Sequence, residues 1–228
     1  MDIVYSCRSG KNEELRYSIR SVEKNFDFAK NIWVVGGKPD WYSGNFIEVP
    51  QRHNPFQNVR VNLKTVIDDP DISEDFVFMN DDFFVVKKIN SVPTYYNGLL
   101  SERSRRHLEA AGPNYYSSFL MRSDQALRRY GIKQPLNYEL HTPIVFNKTM
   151  LSETIDRPFS IRSLYGNIHN IGGEEIRDVK IYDSPRFIED SSSIENGTPF
   201  VSTDDQSFRN MGNTIKDMFQ DKSLYEND

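Results

Sequence analysis

Two adjacent carboxylates follow an apolar run in the first half of the chain. Phe76-Val77-Phe78-Met79 leads directly into Asn80-Asp81-Asp82. Carboxylate oxygens are the ligands that Mg²⁺ and Mn²⁺ prefer, and such ions usually share their coordination with substrate phosphates. These residue types at this spacing therefore indicate a site for a divalent metal, Mn²⁺ or Mg²⁺, with Asp81 and Asp82 as its ligands.

The alternative interpretation of the same residues is a solvated acidic turn. A second apolar run, Phe83-Phe84-Val85-Val86, follows the acids at once, and no Gly, Pro or Ser separates the two runs. Burying two acids side by side without a cation would be very costly. The flanking residues therefore favour the metal site over an exposed hairpin.

The segments that must position these acids alternate between strand and helix patterns. Strand-like segments cover residues 3–7, 32–35, 46–50 and 76–79, and segments with helical spacing of apolar residues cover 12–26 and 58–69. This order predicts an α/β sheet flanked by helices. Open α/β sheets bind ligands at the carboxyl ends of their strands, which is where Asn80, Asp81 and Asp82 stand.

The second half of the chain is less regular. A helix is predicted over residues 123–130, a loop or flap over the Ser-, Asp-, Glu- and Pro-rich residues 181–199, and a last helix from about residue 202. The buried stripe of the last helix is expected at Phe208, Met211, Ile215 and Phe219. A basic segment, Arg103 to His107, precedes Tyr115-Tyr116. It can be a phosphate-polymer or nucleic-acid site, although a solvated helix face is the favoured interpretation.

Composition excludes several classes of protein. The chain has 228 residues, a formal net charge of −5 and 13% aromatic residues, which argues against a nucleic-acid coat and for one globular domain. Its single cysteine, Cys7, cannot form an internal disulfide and is expected to be inert in a buried strand. No run approaches the roughly 18 apolar residues of a membrane span, and the amino terminus does not read as a signal peptide. A cytoplasmic location is expected.

A longer pattern resembles the central block of the Stealth family. It comprises the run Asn12-Glu13-Glu14-Leu15-Arg16-Tyr17-Ser18-Ile19-Arg20-Ser21-Val22-Glu23, then Ile32-Trp33-Val34-Val35, Pro39-Asp40-Trp41 and Phe78-Met79-Asn80-Asp81-Asp82-Phe83-Phe84. These pieces span roughly residues 1 to 88 in the family's order. The family comprises sugar-phosphate transferases of capsule synthesis, related to the lysosomal-enzyme N-acetylglucosamine-1-phosphotransferase.

The resemblance implies a GT-A-like, Rossmann-type mixed sheet flanked by helices, with an irregular C-terminal half. It places Asn80-Asp81-Asp82 where such enzymes carry a DXD-like metal motif. It also implies that a nucleotide sugar, with UDP as the expected nucleotide, contacts residues at and after the first strand, namely Arg8, Ser9, Asn12 and Arg16. Residues 1–90 would form the nucleotide-sugar and metal half, and residues 91–228 the acceptor half, of one domain.

Four residues are candidates for the acceptor chemistry. His141-Thr142-Pro143 is similar to the family's His-x-Pro segment, and Arg162-Ser163-Leu164-Tyr165 to a later Arg-containing segment. His141 can be a general base, a phosphate ligand or a structural residue, and Arg162 can contact the acceptor or lie exposed. Asp204 and Asp205 can supply a general base or merely complement a helix dipole.

One departure from the family pattern favours glycosyl transfer over sugar-phosphate transfer. The family usually has Asp directly before its Asn-Glu-Glu-Leu-Arg run, whereas this chain has Lys11. We therefore predict a metal-dependent glycosyltransferase that acts on a glycan, polymer or modified nucleic-acid acceptor. The alternatives are a Stealth-like hexose-1-phosphate transferase of cell-surface polysaccharide synthesis, and a non-catalytic carbohydrate- or nucleic-acid-binding module.

Overall fold

The computed structural model describes residues 1–51, 54–182 and 197–227. These residues form two compact units. The first contains Met1–Val92, His141–Thr149 and Val179–Asp228, and the second contains Pro93–Leu140 and Met150–Asp178. The chain leaves the first unit after Val92 and returns to it twice. The division of roles between residues 1–90 and 91–228 stays a prediction.

The helices and strands are numbered in chain order. The strands are β1 (Asp2–Cys7), β2 (Ile32–Gly36), β3 (Asn45–Glu48), β4 (Asp75–Asn80), β5 (Phe83–Val85), β6 (Tyr95–Tyr96), β7 (Ile144–Asn147), β8 (Glu174–Glu175), β9 (Lys180–Ile181) and β10 (Phe200–Thr203). The helices are α1 (Glu13–Asn25), α2 (Pro55–Asp68), α3 (Leu100–Ala111), α4 (Tyr115–Arg129), α5 (Lys148–Ser152), α6 (Ile161–Ile168) and α7 (Asp205–Met218).

The main sheet of the first unit has the strand order β3-β2-β1-β4-β7. Strands β1 to β4 are parallel, and β7 pairs antiparallel with β4. The predicted α/β class, with a Rossmann-type mixed sheet and flanking helices, is confirmed. The chain builds outward from β1 to β3 and then crosses back to β4, so the order reverses between β1 and β4. In open α/β sheets the ligand crevice lies at the carboxyl ends of the strands at this reversal, here Cys7 and Asn80.

A second sheet of the same unit, β5-β10-β9, begins directly after the acids. Strand β5 pairs antiparallel with β10, and β10 pairs parallel with β9. Helix α1 holds β5 from its polar side: the Ser21 hydroxyl accepts from the Val85 amide at 2.9 Å, and the Asn25 amide donates to the Val85 carbonyl at 2.6 Å. The Ser18 hydroxyl donates to the Phe83 carbonyl. Asp81 and Asp82 therefore lie in a short turn that is fixed at both ends by strands of different sheets.

The last helix begins later than the sequence pattern suggests. Ser202 and Thr203, the predicted start, form the end of β10, and α7 begins at Asp205. Asp204 is its N-cap and accepts from the backbone amides of Gln206 and Ser207 at 3.1 and 2.7 Å. Of the predicted stripe, Phe208, Ile215 and Phe219 pack in one cluster with Phe84. The side chain of Met211 and residues 183–196 of the predicted loop lie outside the described residues.

Two further helix boundaries differ from the predictions. Helix α2 begins at Pro55, because Asn54 accepts from the amides of Phe56 and Gln57 and Pro is favourable in the first turn. The helix predicted over 123–130 is only the second half of α4, which starts after a capping box at Asn114 and Ser117. The basic segment forms the separate helix α3, in which the only buried residue is Leu100.

A buried ion pair joins α1 to a segment that is distant in sequence. Arg16 Nη1 and Arg20 Nε lie 2.9 and 2.6 Å from the carboxylate oxygens of Glu226, whose side chain is 0% exposed. Burial alone would raise the pKa of Glu226, but the hydrogen bonds from Arg20 and the backbone of Ser223, with the charge of Arg16, hold that pKa below its ordinary value.

We expect Glu226→Gln to lower the free energy of unfolding by about 3 kcal/mol, because removing one partner of a buried pair leaves the other charge uncompensated. Chemical denaturation at neutral pH measures the loss. The matched control is Glu109→Gln, which breaks the exposed Arg105–Glu109 pair and should cost less than about 1 kcal/mol.

The same difference in stability should depend on pH. A carboxylate with a lowered pKa in the folded state contributes stability above its unfolded pKa, about 4.3 for Glu, and loses it as the pH falls through the folded value. The gap between the wild type and Glu226→Gln should therefore shrink below about pH 4. A gap that widens at acidic pH would contradict the assignment of Glu226 as the ionised partner.

Candidate functional site

The carboxylate of Asp81 is held by Asn12, the residue that also caps α1. Asn12 Nδ2 donates to Asp81 Oδ2 at 2.6 Å, while Asn12 Oδ1 accepts from the backbone amide of Leu15 at 3.1 Å. Asn12 has a φ of 40°, in the left-handed region that Asn tolerates better than most residues. One side chain therefore fixes both the start of α1 and the first acid of the pair.

The carboxylate of Asp82 is held by a cation of the chain itself. Lys180 Nζ lies 2.7 Å from Asp82 Oδ2, and the two side chains are only 12% and 14% exposed. The Ser202 hydroxyl donates to the same oxygen at 3.3 Å. Asp82 Oδ1 is buried and has no hydrogen-bond partner among the described residues. The sequence indicates that this acid pair needs a nearby cation. Within the described residues, the ammonium group of Lys180 is such a cation.

A third carboxylate faces the pair. Glu14, in the first turn of α1, is buried and accepts from the Thr203 hydroxyl at 2.8 Å. Burial, followed by the charges of Asp82, Asp81 and Asp205, raises the pKa of Glu14 to about 7. Burial, followed by the charge of Asp82, raises the pKa of Asp81 to about 6. The turn between β4 and β5 is therefore a site of concentrated negative charge, where an added cation would be stabilised.

A cleft of about 570 Å³ opens beside these acids. Pro55 and Asn58, in the first turn of α2, and Asp205 and Gln206, in the first turn of α7, line it together with the acid pair. Helix amino termini carry positive partial charge, which makes them favourable neighbours of an anion. Arg8, Arg209 and Lys180 add formal positive charge to the lining, beside the acids Glu14, Asp81, Asp82, Asp204 and Asp205. The cleft can therefore accept an anionic group and a cation next to each other.

Most residues predicted for the donor site lie in or against this cleft. Arg8, Asn80, Asp81 and Asp82 line it, and Asn12 reaches it through its bond to Asp81. Ser9 is exposed in the turn after β1. Arg16 is not among the lining residues; it pairs with Glu226 and lies 4.6 Å from the ring of Trp41. The donor-binding roles of Ser9 and Arg16 stay predictions.

The residues predicted for the acceptor chemistry fall in three places. Asp204 and Asp205 line the cleft, and Asp205 forms an exposed pair with Arg8 at 3.0 Å. His141 belongs to the first unit, where its ring stands edge-to-face to Phe83 at 6.4 Å. Arg162 belongs to the second unit and is buried, donating to the Leu140 carbonyl at 2.9 Å. The alternative in which Arg162 is an exposed surface residue is therefore wrong.

Sequence reasoning did not single out Glu14, Lys180 or Arg209 as residues of the cleft. Glu14 stands two residues after the cap of α1 and lines the cleft with Asp81 and Asp82. Lys180 lies in a two-residue strand, 98 positions after Asp82, and no local pattern marks it. The prediction for Cys7 agrees with its environment, since burial, with the charge of Asp81, raises the pKa of its thiol to about 12.

The described residues only partly fit a divalent metal. Within residues 1–51, 54–182 and 197–227, no group of three or more His, Cys, Asp and Glu side chains could hold a metal ion. The unpartnered Oδ1 of Asp82 and its neighbour Asp81 nevertheless fit the usual Mg²⁺ arrangement of one or two carboxylates, completed by substrate phosphates and water. A metal held here would therefore depend on the substrate for its remaining ligands.

The hydrogen bond between Asn12 and Asp81 should contribute more to the free energy of unfolding than an ordinary helix cap does. We expect Asn12→Gly to lower the free energy of unfolding by about 2 kcal/mol, because the buried acceptor Asp81 loses a donor. Glycine tolerates positive φ and replaces an Asn cap at a cost of only a few tenths of a kcal/mol. The matched control is Asn54→Gly at the cap of α2. Equal losses in chemical denaturation would contradict a special role for Asn12.

The chain is similar in sequence to capsular polysaccharide phosphotransferases, which confirms the resemblance drawn from its motifs. It is 26% identical over 167 residues to a capsular polysaccharide phosphotransferase of Neisseria meningitidis serogroup B, covering 65% of this chain and 43% of that protein. It is 24% identical over 164 residues to the capsular polysaccharide phosphotransferase LcbA of Aeromonas hydrophila, covering 65% and 46%. The chain thus spans about half the length of these relatives. No family model matches it.

Among solved structures, the chain resembles the galactosyltransferase LgtC in complex with donor and acceptor sugar analogues. The TM-score is 0.49 at 12% identity, covering 98% of this chain and 97% of that one. Because this structural similarity is low, the fold assignment rests on the strand order of the main sheet. No helix within the described ranges combines the length and apolar character needed to cross a bilayer.

Proposed function

We propose that the chain is a transferase that moves a sugar or a sugar phosphate from a nucleotide sugar, with a UDP-sugar as the expected donor. The observation that carries the proposal is the acid pair Asp81-Asp82, placed at the β1/β4 reversal of the sheet and open to a cleft whose lining includes Arg8, Lys180 and Arg209. This is the position at which open α/β sheets bind nucleotides. The similarity to capsular polysaccharide phosphotransferases supports the same class of substrate.

The charges of the cleft suit a diphosphate. The Arg8 side chain is 68% exposed and, within the described residues, pairs with Asp205, so its guanidinium can turn to an incoming phosphate with little loss. Arginine binds phosphate oxygens through a planar fork of donors. The amino termini of α2 and α7 add partial positive charge at the same cleft. We assign Arg8 and these helix ends to the diphosphate of the donor.

Asp81 and Asp82 are the residues that would hold Mn²⁺ or Mg²⁺ in this proposal. A bound divalent ion would supply Lewis-acid stabilisation of the charge on the departing phosphate. The protein's part is to fix the two carboxylates. Asn12 does so for Asp81, and Ser202 and Lys180 do so for Asp82.

Of the two late acids, Asp205 is the better candidate for the general base. Asp204 is occupied as the cap of α7. Burial alone would raise its pKa, but hydrogen bonds from Ser207 and the charge of Lys180 hold that pKa below its ordinary value, which makes Asp204 a weak base. The side chain of Asp205 is 63% exposed, and its partner among the described residues is the exposed Arg8, so it can reach an acceptor hydroxyl.

Donor binding is the first test of this proposal. Calorimetric titration of the wild type should show UDP binding that requires Mn²⁺, and Asp82→Asn should weaken it by on the order of 100-fold, since a charged ligand of the metal is lost. The matched control is Asp75→Asn, at the exposed opposite end of β4. Absence of UDP and nucleotide-sugar binding in the wild type with either metal would contradict the proposal and favour a non-catalytic binding module.

Product analysis separates the two candidate reactions. Glycosyl transfer breaks the bond between the sugar C1 and the diphosphate and releases UDP, whereas sugar-phosphate transfer breaks the bond between the phosphates and releases UMP. Lys11, in place of the family's Asp, favours the first reaction. The names of the similar proteins favour the second. Turnover of a UDP-sugar with a glycan acceptor, followed by chromatography of the nucleotide product, decides between them.

A further inference from the structure

Lys180 forms an ion pair with Asp82, the carboxylate that the proposed metal needs as a ligand. Its ammonium lies 2.7 Å from Asp82 Oδ2, and the Ser202 hydroxyl bonds the same oxygen, so both donors are on one side of the carboxylate. The other oxygen, Oδ1, is left without a partner among the described residues. Asp82 is therefore half satisfied: one oxygen is neutralised by a cation of the chain, and the other remains a free ligand.

The backbone beneath Lys180 is fixed by strand pairing, and its side chain is long enough to change partner. Strand β9 pairs with β10 in the register Lys180 opposite Ser202, which sets the distance from the backbone of Lys180 to the acid pair. The four-carbon stem of lysine carries a compact charge with rotatable donors, and this allows the ammonium to exchange one anionic partner for another. Lys180 lines the same cleft as Arg8 and the helix amino termini, so a second anionic partner bound there lies within the same cavity.

We propose that Lys180 is a tethered cation that holds Asp82 while the cleft is empty and transfers to a donor phosphate when metal and nucleotide bind. This role rests on the proposed function and adds to it a coupling between the binding of metal and the binding of nucleotide. Without nucleotide, a divalent ion at Asp82 Oδ1 must share the carboxylate with the Lys180 ammonium, whose charge opposes it. With nucleotide, the diphosphate takes over the ammonium, and Asp82 is released to the metal.

This exchange makes metal and nucleotide binding cooperative. A divalent ion that binds Asp82 frees Lys180 for the phosphate, and a phosphate that binds Lys180 frees Asp82 for the ion. Because coupling between two binding equilibria is reciprocal, each ligand should tighten the other by the same factor. Lys180 acts here as a positioning residue for Asp82 and as a phosphate ligand, and neither role requires turnover to be observed.

The test measures Mn²⁺ affinity by calorimetry, with and without saturating UDP, in the wild type and in Lys180→Met. In the wild type, UDP should tighten Mn²⁺ binding by on the order of tenfold or more. In Lys180→Met, Mn²⁺ alone should bind roughly tenfold tighter than in the wild type, and the effect of UDP should shrink by a similar factor, leaving the part that comes from phosphate oxygens bound directly to the metal. Lys180→Arg, which keeps the charge, should restore most of the coupling.

The matched control is Lys88→Met, which removes the lysine of the exposed Lys88–Asp27 pair outside the cleft and should leave both affinities unchanged. If Lys180→Met is unfolded at the assay temperature, Lys180→Gln is read instead, since its amide can still bond Asp82 Oδ2 without a charge. Mn²⁺ affinity that is unchanged or weaker in the folded neutral variant, or coupling that keeps its wild-type size in it, would overturn the role of Lys180. A wild type that binds Mn²⁺ but no nucleotide would instead overturn the proposed function.

Discussion

The structure of the first unit depends on one electrostatic constraint: two adjacent carboxylates must be kept at the end of a buried strand. Burying unpaired charge is among the costliest events in folding, so each carboxylate needs partners from elsewhere in the chain. Asn12 provides one for Asp81, and Lys180 and Ser202 provide them for Asp82. These partners come from three separate segments. The acid pair therefore ties together the start of α1, the end of β10 and the strand β9.

Helix α1 carries out several of these tasks at once because its faces differ in chemistry. Its apolar side chains are buried, and its small polar residues bond the backbone of β5. Its amino terminus presents Glu14 and the cap Asn12 to the acid pair, while Arg16 and Arg20 bind the distant Glu226. The run that resembles the capsule-synthesis family thus combines several separate structural roles. Most of its polar positions have a contact that explains the residue type.

The sequence predicts local features well and distant partners poorly. The spacing of apolar residues and the capping residues predicted β1 to β4 and α1, because both signals depend on neighbours within a few positions. Strands β7 and β10 were missed, since their short apolar runs gain meaning only from pairing with β4 and β5. Helix α3 agrees with the interpretation of the basic segment as a solvated helix face, but its bounds were not predicted, because it buries only Leu100. The acids of the site were found from their flanks, whereas Lys180 was not, because its relation to Asp82 exists only after folding.

The separation of Asp82 and Lys180 along the chain has a consequence for synthesis on the ribosome. The two residues are 98 positions apart, and chains grow at about 5–20 residues per second, so Lys180 is made roughly 5–20 s after Asp82. Through that interval the nascent first sheet must carry its two acids with neither their ammonium partner nor the strand that covers β5. Until then, protonation or solvation must stabilise the two acids, and solvent or a chaperone must cover the open edge of β5. The order of translation thus makes the cleft beside the acid pair one of the last parts of the first unit to mature.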